Sequence, residues 1–479
     1  MIGRALVVLP IIEWSFRTQR PQHLARRFAR AGWRVYYCGL KMSEAPKAAE
    51  LVEPGIWRLD LPGDRATNPY RDSLTESAAD RVLEALVDLD TTQSLSGAWV
   101  MVQLPFWLPL AERIRERWRG RILFDCVDDF SSFQDHGDVR DAERRLARTS
   151  DLVSVSADAL AEKLDPHARH LVIVRNGCEP QHFLPAASSG LRGERPVIGY
   201  FGGIHEWFDA SLVEALAASR TDWDFWLVGD TYNAELGGLR EAPNVRFLGE
   251  VAYSALPRIS SVFSAGIIPF RISPLTVAAN PVKAYEMLAA GLPVVGTDLP
   301  ELRRLAPWIR TATDAAGFAR ALEQALAEGP EMTAGRLAFA AGESWNSRFQ
   351  ELVRAMRAVE PIPFLSEPHP AFGADIRRLF GLEAGLGDPA LADHLRNEVS
   401  GLRSEIALRS EEGARLRDEL SKAEDRAAEA GEALLESAAT AERYSRTLDE
   451  ASSSFGGRLL FSYWRAVSRG RRLLFPRSG

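Results

Sequence analysis

The chain has 479 residues, room for two or three domains, and 46% of them are hydrophobic, ample for real cores. A formal net charge of −7 argues against general nucleic-acid binding. The three cysteines, Cys38, Cys126 and Cys178, are far apart and form no CxxC pair, which excludes a disulfide framework and a cysteine zinc site and suits a reducing compartment. No apolar run approaches the roughly 18 residues of a spanning helix. The opening MIGRALVVLPII has one Arg, a Pro within its apolar run and no small-residue cleavage site. It reads as a first strand, and the body as cytoplasmic.

Residues 5–9 predict a buried strand, a helix follows over about 21–31, and Gly32 ends it. Residues 34–38 form the next strand. Strand, helix, strand with continuous apolar strands means a parallel sheet. The connection IIEWSFRTQRPQHLA holds no glycine, which argues against a GxGxxG dinucleotide site. It sets Arg17, Arg20, Gln22 and His23 around the helix start, as a ligand-facing cluster or as an ordinary solvated basic turn. Strands are expected at 98–103 and 121–124, the second running into Asp125-Cys126-Val127-Asp128-Asp129. Carboxylates at the carboxyl end of a parallel strand stand where open α/β sheets bind ligands. Capping of the next helix by Asp128 or Asp129 is the alternative. A helix over 138–149 carrying Glu143, strands over 151–156 and 171–174, and an Asn176-Gly177 turn complete a first domain, 1–190.

A second domain, 195–340, opens with a strand at 196–201 feeding Gly202-Gly203. Two glycines at a strand end let backbone N–H groups approach a phosphate closely. The loop that follows has His205 but neither Arg nor Lys. A helix from about Ala210, a strand ending in Gly229, a strand over 245–249 with Leu248 and Gly249, and a strand over 265–270 give the spacing of a second doubly wound domain. Next comes PLTVAANPVKAYEMLAAGLPVVGTDL, residues 274–299. Asn280 is the expected N-cap, Pro281 the first helical residue, Gly291 the stop, and 292–295 a buried strand. Lys283 sits in the first turn, where free N–H groups and the helix dipole favour an anion. Glu286, three residues on, shares its face. Such a pair can hold phosphate and sugar hydroxyls together, or it is the surface Lys–Glu pair that many helices carry.

The 274–299 stretch resembles the donor-site helix of GT-B glycosyltransferases of the family 4 type. Its branch for teichuronic-acid-like and other cell-surface polysaccharides has a pattern near NPxKxYExLAxGxPVV. The RPQHLA and DCxDD-like segments are similar to that branch as well, and the resemblance covers about 1–358. It implies an α/β GT-B fold, two doubly wound Rossmann-like domains facing a cleft, with the chain at 341–360 returning to the first as a helix. It implies that Glu286 takes the ribose hydroxyls, that Lys283 and Gly202-Gly203 border the diphosphate, and that backbone around Leu248–Val251 meets the base. The expected donor-binding set is therefore Gly202, Gly203, Gly229, Leu248, Gly249, Asn280, Lys283 and Glu286. Asp128, Asp129 and Lys283 are the expected catalytic residues, with Arg17, Arg20, Gln22 and His23 on the acceptor side of the cleft. Two departures stand out. Ala278 occupies the place of the wider family's first glutamate, and the loop after Gly203 lacks the Arg that many members carry.

Pro361, Pro363, Pro368 and Pro370 mark a linker over 361–390. Over 391–452 an apolar seam through Leu395, Val399, Leu402, Leu416 and Leu420 predicts a coiled coil, which would pair two copies. Residues 455–479 carry six arginines, no acid, and Phe461, Tyr463, Trp464 and Phe475. That is the profile of a segment lying on an anionic membrane. The expectation is a glycosyltransferase on the cytoplasmic side, peripheral at the inner membrane face. It moves a sugar from a nucleotide diphosphate sugar to a lipid-linked or polysaccharide acceptor, with retention, no metal and no resident cofactor. A nucleotide-sugar epimerase of the same fold and a non-catalytic coiled-coil scaffold remain as alternatives.

Overall fold

The continuous apolar runs become strands buried on both faces, as parallel strands covered by helices must be. The computed structural model describes residues 4–46, 48–93, 95–132, 137–187, 193, 195–232 and 234–360; the linker, coiled coil and basic tail expected beyond 360 lie outside the described residues. The first lobe holds β1 (Ala5–Leu9), β2 (Arg34–Ser43), β3 (Glu50–Glu53), β4 (Ile56–Pro62), β5 (Trp99–Val102), β6 (Arg121–Cys126), β7 (Leu152–Val155) and β8 (Leu171–Ile173). Their order is β3-β4-β2-β1-β5-β6-β7-β8, parallel except for β3 against β4. The second lobe holds β9 (Val197–Phe201), β10 (Asp224–Val228), β11 (Val245–Gly249), β12 (Ala265–Ile268), β13 (Val294–Thr297) and β14 (Ile309–Ala312). Their order is β11-β10-β9-β12-β13-β14, all parallel. The β3–β4 pair and β14 were not among the predicted elements.

In each sheet the first strand is central. β1 lies between β2 and β5, and β9 between β10 and β12, so strand order reverses beside each. A crevice opens at such a reversal, outside the carboxyl ends of the strands. The loops leaving β1, β6, β9, β10 and β11 therefore decide what the cleft between the lobes can bind.

Helix Trp345–Val359 is capped by Ser344, whose hydroxyl accepts from the Ser347 N–H at 3.1 Å. It packs on helix Arg20–Arg30: Phe349 meets Phe28 edge to face at 4.9 Å, and Leu352 and Met356 are buried with Leu24, Phe28 and Val35. Residues from the far end of the described chain thus complete the core of the first lobe.

A polar network joins the lobes. The Asn176 N–H donates to Asn280 Oδ1 at 2.9 Å, and Asn176 Nδ2 donates to the Asn280 carbonyl at 2.6 Å. Glu301, only 1% exposed, accepts from Asn280 Nδ2 at 2.8 Å, Arg175 Nε at 2.9 Å and the Asp158 N–H at 3.0 Å. Asn280 is therefore not the helix cap expected from the sequence. Pro281, with ψ of 115°, is the N-cap, and the helix runs Val282–Ala289. The Asn280 side chain is spent holding the lobes together, which leaves it none of the freedom a cap needs.

Candidate active site

Between the lobes lies a cleft of about 1260 Å³. That exceeds the roughly 300–1,000 Å³ of a pocket for one drug-sized ligand, so it has room for a donor and part of an acceptor. Its second-lobe wall is built by the glycine turn after β9. Gly202 has φ of +123° and Gly229 has φ of +150°, the region that only glycine enters cheaply. A side chain on Gly229 would collide with the Gly202 carbonyl, and one on Gly202 would meet Lys283 Nζ at 2.6 Å. The two strand ends are thus packed backbone to backbone, with the lysine of the helix start over them.

Lys283 Nζ donates to the Tyr200 hydroxyl at 2.6 Å, and that hydroxyl donates to the Gly203 carbonyl at 2.7 Å. The ammonium also lies 4.1 Å from the centre of the Tyr200 ring and 4.9 Å from that of Phe270. Burial lowers the Lys283 amine to about 7, against the opposing pull of Glu286. Burial likewise pushes the Glu286 carboxyl up to about 7, with Lys283 pulling the other way. Each is costly to charge, and each is the other's principal compensation. Glu286 is 6% exposed and has the Tyr253 hydroxyl as its neighbour. That hydroxyl is buried without a well-formed hydrogen bond, so polar capacity here is left over. Tyr253 is held by His182, stacked on it at 4.5 Å with Nε2 3.0 Å from its carbonyl oxygen.

On the first-lobe side, Asp128 and Asp129 part company. Asp128 lines the cleft, and burial, aided by the Asp129 charge, pushes its carboxyl up to about 7. Asp129 does not line it. Its oxygens accept from Lys163 Nζ at 2.5 Å, Ser131 Oγ at 2.6 Å and Ser132 Oγ at 2.7 Å. Burial alone would raise Asp129, but these bonds outweigh it and hold the carboxyl below the usual range. Asp129 organises the Phe130–Ser132 turn, so the catalytic role expected for it is corrected to a structural one.

His23 lines the cleft, 2% exposed and stacked on Trp345 at 4.8 Å. Its Nδ1 is 3.2 Å from Glu179, which also binds Arg27 at 2.7 Å, while its Nε2 is buried without a partner. Burial lowers the imidazole pKa and outweighs the pull of Glu179. Arg17 reaches across the cleft: it donates through Nε to Glu250 at 2.6 Å and through Nη2 to Asp230, both second-lobe residues. Arg20 also lines the cleft, as expected, though its guanidinium is committed inward; Gln22 does not line it and is a correction to the expected cluster. Arg20 is buried, donating to Asp125 Oδ1 at 2.8 Å and to the Val174 carbonyl at 2.8 Å. Gln22 is fully buried and braces the β1 loop, donating to the Glu13 carbonyl at 3.1 Å and accepting from the Gln19 N–H at 3.1 Å. Leu248 and Gly249 also fall short of the cleft. Leu248 is 40% exposed, and the Gly249 carbonyl accepts from the Gly229 N–H at 2.8 Å. The next four residues, Glu250 to Tyr253, line the cleft in their place.

Two α/β lobes, each open at the carboxyl ends of its strands toward one cleft, define the GT-B fold. A sucrose-phosphate synthase from Thermosynechococcus elongatus superposes with a TM-score of 0.59 at 15% identity, over 74% of this chain and 99% of that one. The Anabaena protein HepE, solved with UDP and glucose, does so with a TM-score of 0.55 at 14% identity, over 74% and 100%. Within that fold, residues 195–328, in the second lobe, match the family described as Glycosyl transferases group 1. The chain is also 29% identical over 234 residues to TuaH of Bacillus subtilis (strain 168), provisionally a teichuronic acid biosynthesis glycosyltransferase; the match covers 45% of this chain and 59% of TuaH. Among the described residues no helix is long and apolar enough to cross a membrane.

Tyr253, His182, Asp230 and Glu250 were missed by the sequence reading. Each lies outside the recognisable motifs and is brought in by tertiary contact. The one available signal was the placement of Asp230 directly after a glycine-ended strand.

Proposed function

We propose that the chain is a glycosyltransferase that moves a sugar from a nucleotide diphosphate sugar to a lipid-linked or polysaccharide acceptor. The observation that carries this reading is the desolvated Lys283–Glu286 pair, on one face of a helix start that closes over the Gly202–Gly203 turn. Phosphate oxygens next to Lys283 would stabilise its charged form, and ribose hydroxyls would supply the hydrogen bonds that Glu286 and Tyr253 lack. TuaH gives the reading its substrate class, and HepE was solved with UDP and glucose.

The chemistry follows from the charges available. As the anomeric C–O bond breaks, negative charge grows on the departing phosphate. Lys283, the N-terminus of helix Val282–Ala289 and backbone N–H groups near Gly203 stand where that charge develops. In a front-face displacement the acceptor oxygen bonds to the anomeric carbon on the side the phosphate leaves, and a phosphate oxygen takes the acceptor proton. Retention follows, with no protein nucleophile. Neither a metal nor a resident cofactor is needed for that charge balance. Asp128, in the opposite wall, is suited to orient sugar or acceptor hydroxyls. Ala278 is buried among first-lobe core residues and offers no polar contact to the sugar.

The arginines and aromatic residues of 455–479 support a hold on anionic lipid, and the apolar seam over 391–452 supports pairing of two copies. The function is tested by a thermal-shift screen against nucleoside diphosphates and their sugars, followed by turnover on lipid-linked acceptors. Release of free epimer without an acceptor would indicate the epimerase instead, and binding without turnover on any acceptor a scaffold. Loss of liposome co-sedimentation on truncation at Ser454 tests the membrane role.

A further inference from the structure

The second lobe has an incomplete set of cations. Its glycine turn continues through residues 204–210 without Arg or Lys, which leaves Lys283 alone to face a group carrying two or more negative charges. Asp230 and Glu250, at the ends of β10 and β11, worsen the balance by adding two carboxylates nearby. Arg17 offsets part of that charge from the other lobe. Its Nε and Nη2 are fixed on Glu250 and Asp230, and the guanidinium carbon lies over the Phe16 ring, 4.9 Å from its centre. Among the described residues no hydrogen bond uses Nη1. A methyl group on Gly203 would lie 3.2 Å from it, so this remaining edge of the fork is presented to the glycine turn. A planar guanidinium can be held on one edge while the other binds phosphate; an ammonium cannot.

We propose that Arg17 of the first lobe completes the donor diphosphate site of the second, positioned for this by Asp230 and Glu250. The cleft then has a full phosphate site only when both lobes contribute to it. This rests on the nucleotide-sugar reading above.

The test is calorimetry on the full chain with UDP, GDP, ADP and dTDP and with the matching nucleosides. Arg17→Met, close in length and shape, is expected to weaken the diphosphate that the wild type binds by about tenfold to hundredfold, the effect of one charge-assisted hydrogen bond. Nucleoside affinity stays unchanged. Arg17→Lys recovers only part of the loss. Equal diphosphate affinity in wild type and Arg17→Met overturns the inference and leaves the nucleotide reading intact. Equal loss for diphosphate and nucleoside also overturns it, since the residue would then only shape the cleft. If the wild type binds no nucleoside diphosphate at all, the nucleotide reading itself falls, and this inference with it.

Discussion

Each lobe places a cation–carboxylate pair at the carboxyl end of its sheet, and the two are built differently. Arg20 and Asp125 are 3% and 0% exposed, and their capacity is nearly used up: Arg20 reaches Asp125, two carbonyls, Asn176 and Ser154, while Gln103 Nε2 donates to Asp125 at 2.9 Å. Lys283 and Glu286 share one face, but apart from the bond to Tyr200 they have little beyond each other and an unsatisfied tyrosine hydroxyl. A saturated pair fixes the architecture. A pair left short of partners, in a cleft wall, is prepared for a ligand that supplies them.

The contrast breaks first at Arg20. Arg20→Ala should cost on the order of 3–5 kcal/mol of stability, because it strands a buried Asp125. Urea unfolding measures this, and a loss below about 1 kcal/mol would mean that the pair is not the clamp described. Next is Glu286→Gln, which keeps the shape and removes the charge. It should cost on the order of 1.5–3 kcal/mol of nucleoside diphosphate affinity by calorimetry. Its effect on stability has the opposite sign. The native carboxyl holds its proton up to about 7, well above an unfolded glutamate. The wild type therefore loses stability as pH climbs from about 4.3 to 7, and the glutamine variant does not. At pH 8 the variant should melt higher; a variant that melts lower there would place Glu286 with the saturated kind.

Asp128→Asn carries the comparison into the first lobe. Turnover should fall about tenfold or more with nucleotide affinity unchanged, because the nucleotide rests on the other lobe. Asp128 also has a raised pKa, so the variant's gain in melting temperature should open between about pH 4 and 7 and stay constant above. Full turnover with early melting would make Asp128 a structural residue like Asp129. The smallest expected effect is that of chelation. EDTA should leave turnover within about twofold of its starting value, since Lys283 and the helix start offset the charge. Abolished turnover restored by magnesium or manganese would contradict that.

What was legible in the sequence was what short stretches decide for themselves. Gly291 ends its helix with φ of +71°, and Gly202 and Gly229 take positive φ at strand ends, because local backbone geometry leaves no other residue those conformations at low cost. Lys283 and Glu286 share a face because helical spacing dictates it. Arg20 and Arg17, three residues apart in one basic loop, could not be separated by the same means. One turns inward to Asp125 and the other crosses to a different lobe, and the difference lies in where strands from distant parts of the chain end. Asn280 misled for the same reason: its sequence is that of a good cap, and its partner Asn176 lies 104 residues away.

The helix Trp345–Val359 also sets the order in which the polypeptide can mature. Domains commonly fold from the amino terminus as they emerge during synthesis. Here Leu24, Phe28 and Val35 wait for Leu352 and Met356, and His23 waits for Trp345. The first half to be translated is therefore the last to be finished. Until the ribosome has passed residue 356 it carries an open apolar groove along helix Arg20–Arg30, while the second lobe, from β9 to β14, has already emerged with every strand of its sheet.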